Sequence, residues 1–168
     1  MEIIPVLNKS LIETAAKIAD EIWREHYTSI ISAEQIDYML KNFQSEKAIE
    51  RQISEQNYMY FLVKGSKDHF EGHFDGYFAV IPENDDLILS KLYIRKESRG
   101  RGYARQIVDF IKNLARSRNL KRITLTVNRN NTGSISAYER MNFKIIGEIN
   151  QDIGSGFFMN DYKMSLEV

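Results

Sequence analysis

Residues 99–104 read Arg-Gly-Arg-Gly-Tyr-Ala, between an apolar run that predicts a strand and a periodic run that predicts a helix. Closely spaced backbone N–H groups where a loop enters a helix form an anion site. Gly100 and Gly102 carry no Cβ, so the main chain can turn sharply there and come close to a ligand. Ala104 keeps the first helical turn thin, and Arg99 and Arg101 add positive charge beside the amides. The physical expectation is a cradle for a phosphate or diphosphate. On these six residues alone, a plain strand-to-helix turn with solvated arginines explains the segment equally well.

The flanks are well marked. Leu87 to Ile94 is apolar apart from Ser90 and Lys91, which predicts a strand buried on both faces. After the loop, Ala104, Ile107, Val108, Ile111, Leu114 and Ala115 fall at helical spacing and predict one apolar face. Two familiar phosphate loops fail on spacing. No Gly-x-x-x-x-Gly-Lys-Ser/Thr occurs, and the dinucleotide fingerprint needs a glycine where Arg105 stands.

Composition bounds the rest. The chain has 168 residues, 43% hydrophobic and 27% charged, which predicts one globular domain over 1–168. Its formal net charge is zero, so no global field favours nucleic acid or a membrane surface. There is no cysteine, which excludes disulfides, thiolate catalysis and cysteine-based zinc sites. His26, His69 and His73 lack metal-ligand spacing on a common helix, and no metal site is expected. No apolar stretch approaches the roughly 18 residues of a membrane helix, and no signal segment is evident, so a cytoplasmic location is the expectation.

Along the chain, Ile3 to Leu7 predicts a first strand, and Ser10-Leu11-Ile12-Glu13 has the spacing of a capping box opening a helix to about Arg24. Ser32-Ala33-Glu34-Gln35 repeats that signal before a helix near 33–43, and a weaker helix follows at 45–56. Strands are expected near 58–64, 73–81 and 86–94, with turns at Gly65-Ser66-Lys67-Asp68 and Glu83-Asn84-Asp85-Asp86, and again near 144–150 and 157–167. The order predicts a mixed α/β sheet with helices on both faces.

A second block adds specificity. Ile123, Leu125 and Val127 alternate with Thr124 and Thr126, a half-buried strand. It ends in Asn128-Arg129-Asn130-Asn131-Thr132-Gly133, where asparagines tolerate unusual backbone angles and splay the chain. A short helix is expected from near Ser134, with Ile135, Tyr138 and Met141 on one side.

Together the two blocks resemble the GCN5-related N-acetyltransferases. Arg99–Ala104 resembles that family's Gln/Arg-x-x-Gly-x-Gly/Ala pyrophosphate loop. Val127–Asn131, followed by Ile135, Tyr138-Glu139-Arg140 and Phe143, is similar to its second motif. The resemblance covers roughly residues 58–168. It implies an α/β (α+β) fold with a mostly antiparallel sheet of about six to seven strands, splayed at the cofactor site. Three positions depart from the pattern. Asn142 replaces the glycine before Phe143, and Asn can adopt the same left-handed helix cap. Ser134 and Ala137 replace an alanine and a leucine.

The resemblance further implies acetyl-CoA as cofactor and direct transfer of its acetyl group to a primary amine through a tetrahedral intermediate. The main chain of Leu92, Tyr93 and Ile94 would pair with the pantetheine arm, one N–H polarising the thioester carbonyl. Arg99, Gly100, Arg101, Gly102, Tyr103 and Ala104 would hold the pyrophosphate. Asn131 would contact the arm or hold the strand-end bulge, and Ser134 would bond the cofactor or cap its helix. Tyr138 is the candidate general acid, since a phenol titrates near pH 10 and is protonated at neutrality; the alternative is a core aromatic bonded to backbone. For a general base the candidates are Glu25, His26, Asp152 and Asp161, or an ordered water.

The acceptor is expected from the first helices, where Trp23, His26, Tyr27, Tyr38 and Met39 lie near Glu21, Glu25 and Asp37. Aromatics beside carboxylates suit a cation, and the run Asp152–Phe158 could close over such a pocket. The pattern is similar to bacterial polyamine acetyltransferases, which implies a small-molecule amine. A protein or peptide amine, or a non-catalytic acyl-CoA-binding module, remain the other readings. Dimers are common in that family, so a homodimer is one assembly the resemblance allows.

Overall fold

The computed structural model describes residues 1–65 and 72–168. The expected turn over 65–68, Gly65 apart, and His69 lie outside the described residues. In chain order the elements are β1 (Glu2–Pro5), α1 (Lys9–His26), a 3-10 turn (Tyr27–Ser29), α2 (Ala33–Met39), a π-helical segment (Leu40–Gln44) and α3 (Glu46–Glu55). Then come β2 (Met59–Lys64), β3 (Gly76–Glu83), β4 (Asp86–Ile94), a 3-10 turn (Lys96–Ser98) and α4 (Tyr103–Ser117). Last are β5 (Arg122–Asn128), α5 (Thr132–Glu139), β6 (Lys144–Gly154) and β7 (Phe157–Glu167).

The strands form one seven-stranded sheet in the order β1-β2-β3-β4-β5-β7-β6. β1 and β2, β2 and β3, β5 and β7, and β7 and β6 are antiparallel, whereas β4 and β5 run parallel, with Asp86–Ile88 against Arg122–Thr124. This is the mixed sheet that the element order predicts, mostly antiparallel as the family resemblance implies.

The chain divides into two compact units, residues 1–81 with 91–107 and residues 82–90 with 108–168. In the first, α1 buries Ala15, Ile18, Ala19, Ile22 and Trp23, and β2 and β3 bury Leu62, Val63, Tyr77 and Phe78. In the second, Val108, Ile111 and Ala115 of α4, Ile123 and Leu125 of β5, and Met164 of β7 are buried. Each such Ile or Leu stabilises by roughly 1.5–3 kcal/mol.

Several local expectations are corrected. The cap of α1 is Asn8, whose extended backbone lets its side chain accept the Leu11 N–H at 3.0 Å; Ser10 lies inside the first turn. β1 ends at Pro5, and Leu7 is exposed. The helix expected over 33–43 keeps its Ser32 cap but changes to π geometry from Leu40. β4 is not buried on both faces: Leu87, Leu89 and Lys91 are buried and alternate with less buried neighbours, so the strand takes the period-2 pattern of a sheet with unequal faces. Tyr103 is buried and opens the inward face of α4, while Ala104 and Leu114 are only half-buried. β6 runs on to Gly154, and Asp152–Phe158 forms the tip of the β6–β7 hairpin, with Gly154, Ser155 and Gly156 at positive φ.

Candidate functional site

In the first unit, β4 ends at Ile94 and a single 3-10 turn leads to Arg99. Gly100 and Gly102 then take φ of +77° and +79°, and α4 begins at Tyr103. Left-handed backbone is what requires glycine here, because no atom lies within 4 Å of where a Cβ would stand at either position. The N–H groups of Tyr103 and Ala104 open a helix, where no intrahelical acceptor exists for them. Two closely spaced left-handed glycines, a helix start and an exposed Arg101 form a donor set that fits a diphosphate.

Arg99 does something else. Its Nε donates to the Ile94 carbonyl at 3.0 Å, and its two terminal nitrogens meet both oxygens of Glu25 on α1, at 2.8 and 3.5 Å. Arg95 likewise pairs with Glu21 and donates to the Phe74 carbonyl at 2.8 Å. Arg24 pairs with Asp37 at 2.8 Å and with Asp20. Glu21, Glu25 and Asp37, expected beside the aromatics as anions for a cationic acceptor, are thus each engaged by an arginine. The aromatics themselves do gather: Trp23 and Tyr27 stack at 4.3 Å, and Tyr93 stands 5.7 Å from Trp23, 6.4 Å from Tyr27 and 5.3 Å from Tyr77.

Leu92, Tyr93 and Ile94 are half-buried at the end of β4. Gly76 opposite them was not singled out by sequence. A Cβ there would stand 2.2 Å from the Tyr93 carbonyl oxygen and 3.0 Å from the Ile94 Cα, so only glycine lets β3 lie this close. Asp75 was also missed. It is fully buried, accepting from the Gly65 N–H and the Ser98 hydroxyl. It falls inside the strand expected over 73–81 but lies just before β3, which starts at Gly76, and only its partners from distant segments reveal its part.

Lys91 was legible as a charge inside an apolar run. Its Nζ is buried, donates to the Phe43 carbonyl at 2.7 Å and Gln44 Oε1 at 3.2 Å, and faces the Tyr58 and Tyr60 rings at 5.9 and 5.5 Å. The π-helical segment presents both acceptors. Desolvation, with no carboxylate to offset it, lowers this amine to about 7. Desolvation also pushes the phenols of Tyr60 and Tyr77 upward. Those hydroxyls donate to Gln52 and, at 3.0 Å, to Gln44.

In the second unit, β5 ends in a tight turn in which Asn128 Oδ1 accepts from the Asn130 N–H at 2.9 Å. Asn131 is buried and caps α5, its side chain accepting from the Ser134 N–H at 3.4 Å. The helix therefore starts at Thr132, two residues earlier than expected, and Ser134 is not the cap. Tyr138 is half-buried near the end of α5, its ring 5.5 Å from Phe143 in an edge-to-face contact. Asn142 takes φ +71°, the left-handed cap expected of it.

Of the candidate bases, Glu25 is paired with Arg99, and Asp152 caps its hairpin by accepting the Gly154 N–H at 2.8 Å. His26 packs edge-on against Tyr27 at 5.0 Å. Asp161 is buried, with Oδ1 lacking a hydrogen-bond partner; burial raises its carboxyl, against lowering by Thr126 and Arg129. Among the described residues no group of three His, Asp or Glu is placed to hold a metal ion, and no helix is long and apolar enough to cross a membrane.

Comparison with known proteins decides the family. The model of the acetyltransferase (GNAT) family matches residues 15–143. The chain belongs to the GNAT family. It is an acyltransferase of the kind that takes its acetyl group from acetyl-CoA.

This GNAT protein resembles several solved structures over nearly its whole length. The PaiA N-acetyltransferase from Thermoplasma acidophilum, solved with coenzyme A, is 18% identical with a TM-score of 0.78, each chain covered to 100%. A GCN5-related N-acetyltransferase from Rhodopseudomonas palustris is 14% identical with a TM-score of 0.79, covering 99% of this chain and 95% of that one. A chimera of the Vibrio cholerae spermidine N-acetyltransferase SpeG with hSSAT is 16% identical with a TM-score of 0.65, covering 99% and 96%. At these identities the likeness is one of fold. No curated protein matches this GNAT chain by sequence.

Proposed function

We propose that this GNAT enzyme acetylates a primary amine on a small molecule, in its narrowest form a polyamine, and that residues 1–168 act as one catalytic domain in the cytoplasm. The observation that carries the reading is the left-handed pair Gly100 and Gly102 at the start of α4, with open space beside both. The structural neighbour solved with coenzyme A and the spermidine-acetylating neighbour support the choice of cofactor and acceptor.

In this reading the N–H groups of residues 100–104 bind the diphosphate, with Arg101 adding charge and Arg99 bracing the loop through Glu25. The main chain of Leu92–Ile94 pairs with the pantetheine arm, and one of its N–H groups donates to the acetyl oxygen, where negative charge develops. Acetyl-CoA, when bound, would supply an activated thioester, its acetyl group passing to the amine nitrogen by addition to the carbonyl followed by loss of the C–S bond. Tyr138 passes its hydroxyl proton to the departing sulfur and recovers one from solvent. The acceptor ammonium gives one proton to water before it attacks and a second to water as the neutral amide forms. Asn131 holds the turn after β5 through its cap, and Ser134 offers a hydroxyl in the first turn of α5. The rings of Trp23, Tyr27 and Tyr93 receive the cationic amine by ring attraction.

Acetyl-CoA turnover against a panel of amines, with calorimetry of coenzyme A, tests this. Release of free coenzyme A with spermidine or another small amine is expected. Affinity for the cofactor without turnover on any small amine would replace it with a protein acceptor or a binding module.

A further inference from the structure

Asp75 has no exposed surface, and it lies where three segments of the first unit meet. Its N–H donates to the Val63 carbonyl at 2.7 Å, and its own carbonyl accepts from the Arg95 N–H at 2.7 Å, so its backbone sits between the end of β2 and the exit of β4. Its side chain spans the same distance. One carboxylate oxygen accepts from the Gly65 N–H, the other from the Ser98 hydroxyl. Ser98 is itself fully buried and immediately precedes Arg99. At the far end of the loop Tyr103 is buried, and a Cβ on Gly65 would stand 2.3 Å from the Tyr103 hydroxyl oxygen and 2.8 Å from Asp75 Oδ2. The phenol and the carboxylate thus crowd one glycine.

A buried carboxylate is unfavourable unless its oxygens are hydrogen-bonded. Here one bond goes to Ser98, which directly precedes the stretch Arg99–Gly102, and the other to Gly65, which packs against Tyr103, the residue directly after it. That stretch contains two glycines, the residues with most backbone freedom to lose on ordering. A binding loop held in its bound shape beforehand loses less entropy when the ligand arrives.

We propose that Asp75 is a positioning residue for the diphosphate of coenzyme A, holding Ser98 and Gly65 so that the Arg99–Gly102 turn is set before the ligand binds. This rests on the reading of that turn as the diphosphate cradle.

The test compares coenzyme A with pantetheine, which lacks the diphosphate and nucleotide, by calorimetry on the intact protein and on Asp75→Asn and Ser98→Ala. Ser98→Ala removes one bond and one oxygen atom, so it reports even if Asp75→Asn fails to fold. Each folded variant should bind coenzyme A about tenfold more weakly, with pantetheine affinity unchanged, and the double variant should lose little more than the worse single one. Equal loss for both ligands, or no loss for coenzyme A, would overturn the role of Asp75 while leaving the cradle standing. A native protein that binds both ligands alike would overturn the cradle and this inference with it.

Discussion

The backbone N–H of Phe143 donates to the Tyr138 carbonyl at 3.1 Å, and the two rings meet 5.5 Å apart, edge to face. With Asn142 left-handed between them, and its N–H on the Glu139 carbonyl at 2.9 Å, this is a Schellman ending of α5 with its usual apolar clasp. Tyr138 is therefore held at both main chain and ring, with its hydroxyl as the variable part. Tyr138→Phe preserves that clasp. It should lower kcat by about 10²–10⁴ and leave coenzyme A affinity within about twofold by calorimetry. Unchanged turnover would remove the assigned proton transfer.

The two kinds of glycine in the first unit should fail differently. Gly102→Ala puts a side chain on left-handed backbone, at about 1–2 kcal/mol, in open space. It should fold with a modest loss in urea denaturation and bind coenzyme A weakly. Gly76→Ala meets the Tyr93 carbonyl and must push two strands apart. It should lose more stability than Gly102→Ala; equal losses would argue against that close approach.

Arg101 and Arg99 carry the same charge in different company. Arg101 is exposed and makes no ion pair within the described residues, whereas Arg99 is held by Glu25. Arg101→Ala should weaken coenzyme A binding several-fold at low salt, with the deficit shrinking as salt rises. Glu25→Gln loosens the Arg99 brace but also removes a negative charge near the loop, so it should weaken binding less than Arg101→Ala does. Salt titrations of affinity for both variants check this.

Lys91 makes stability depend on pH. Its folded amine titrates near 7, below the roughly 10.4 of an unfolded lysine. Between those values the unfolded chain binds the extra proton, so stability rises with pH. Below about 7 both states are charged and the burial penalty is present in full. The rise should approach about 1.4 kcal/mol per pH unit above neutrality, and Lys91→Met should flatten it. A wild-type profile flat from pH 7 to 9 in urea denaturation would contradict the placement of this amine.

Local backbone features were legible from sequence because they depend on near neighbours. Gly100 and Gly102 make the sharp turn expected of them, at positive φ, Asn142 takes its expected left-handed cap, and Ser32 caps its helix. The errors were also local in kind. Asn8 took the cap assigned to Ser10, and Asn131 capped α5 ahead of Ser134, because several residues in a row could serve and only the path of the entering chain chooses among them.

By itself the sequence determined the order of elements, the glycine turn before α4 and the family, since periodicity, chirality and motif spacing are all written along the chain. Tertiary structure alone decided that Arg99 reaches a carboxylate 74 residues away, that the Asp75 side chain is buried between Gly65 and Ser98, and that Gly76 admits a neighbouring strand. The physical reason is that charge pairing, desolvation and close approach depend on which distant segments meet, and no local pattern encodes that.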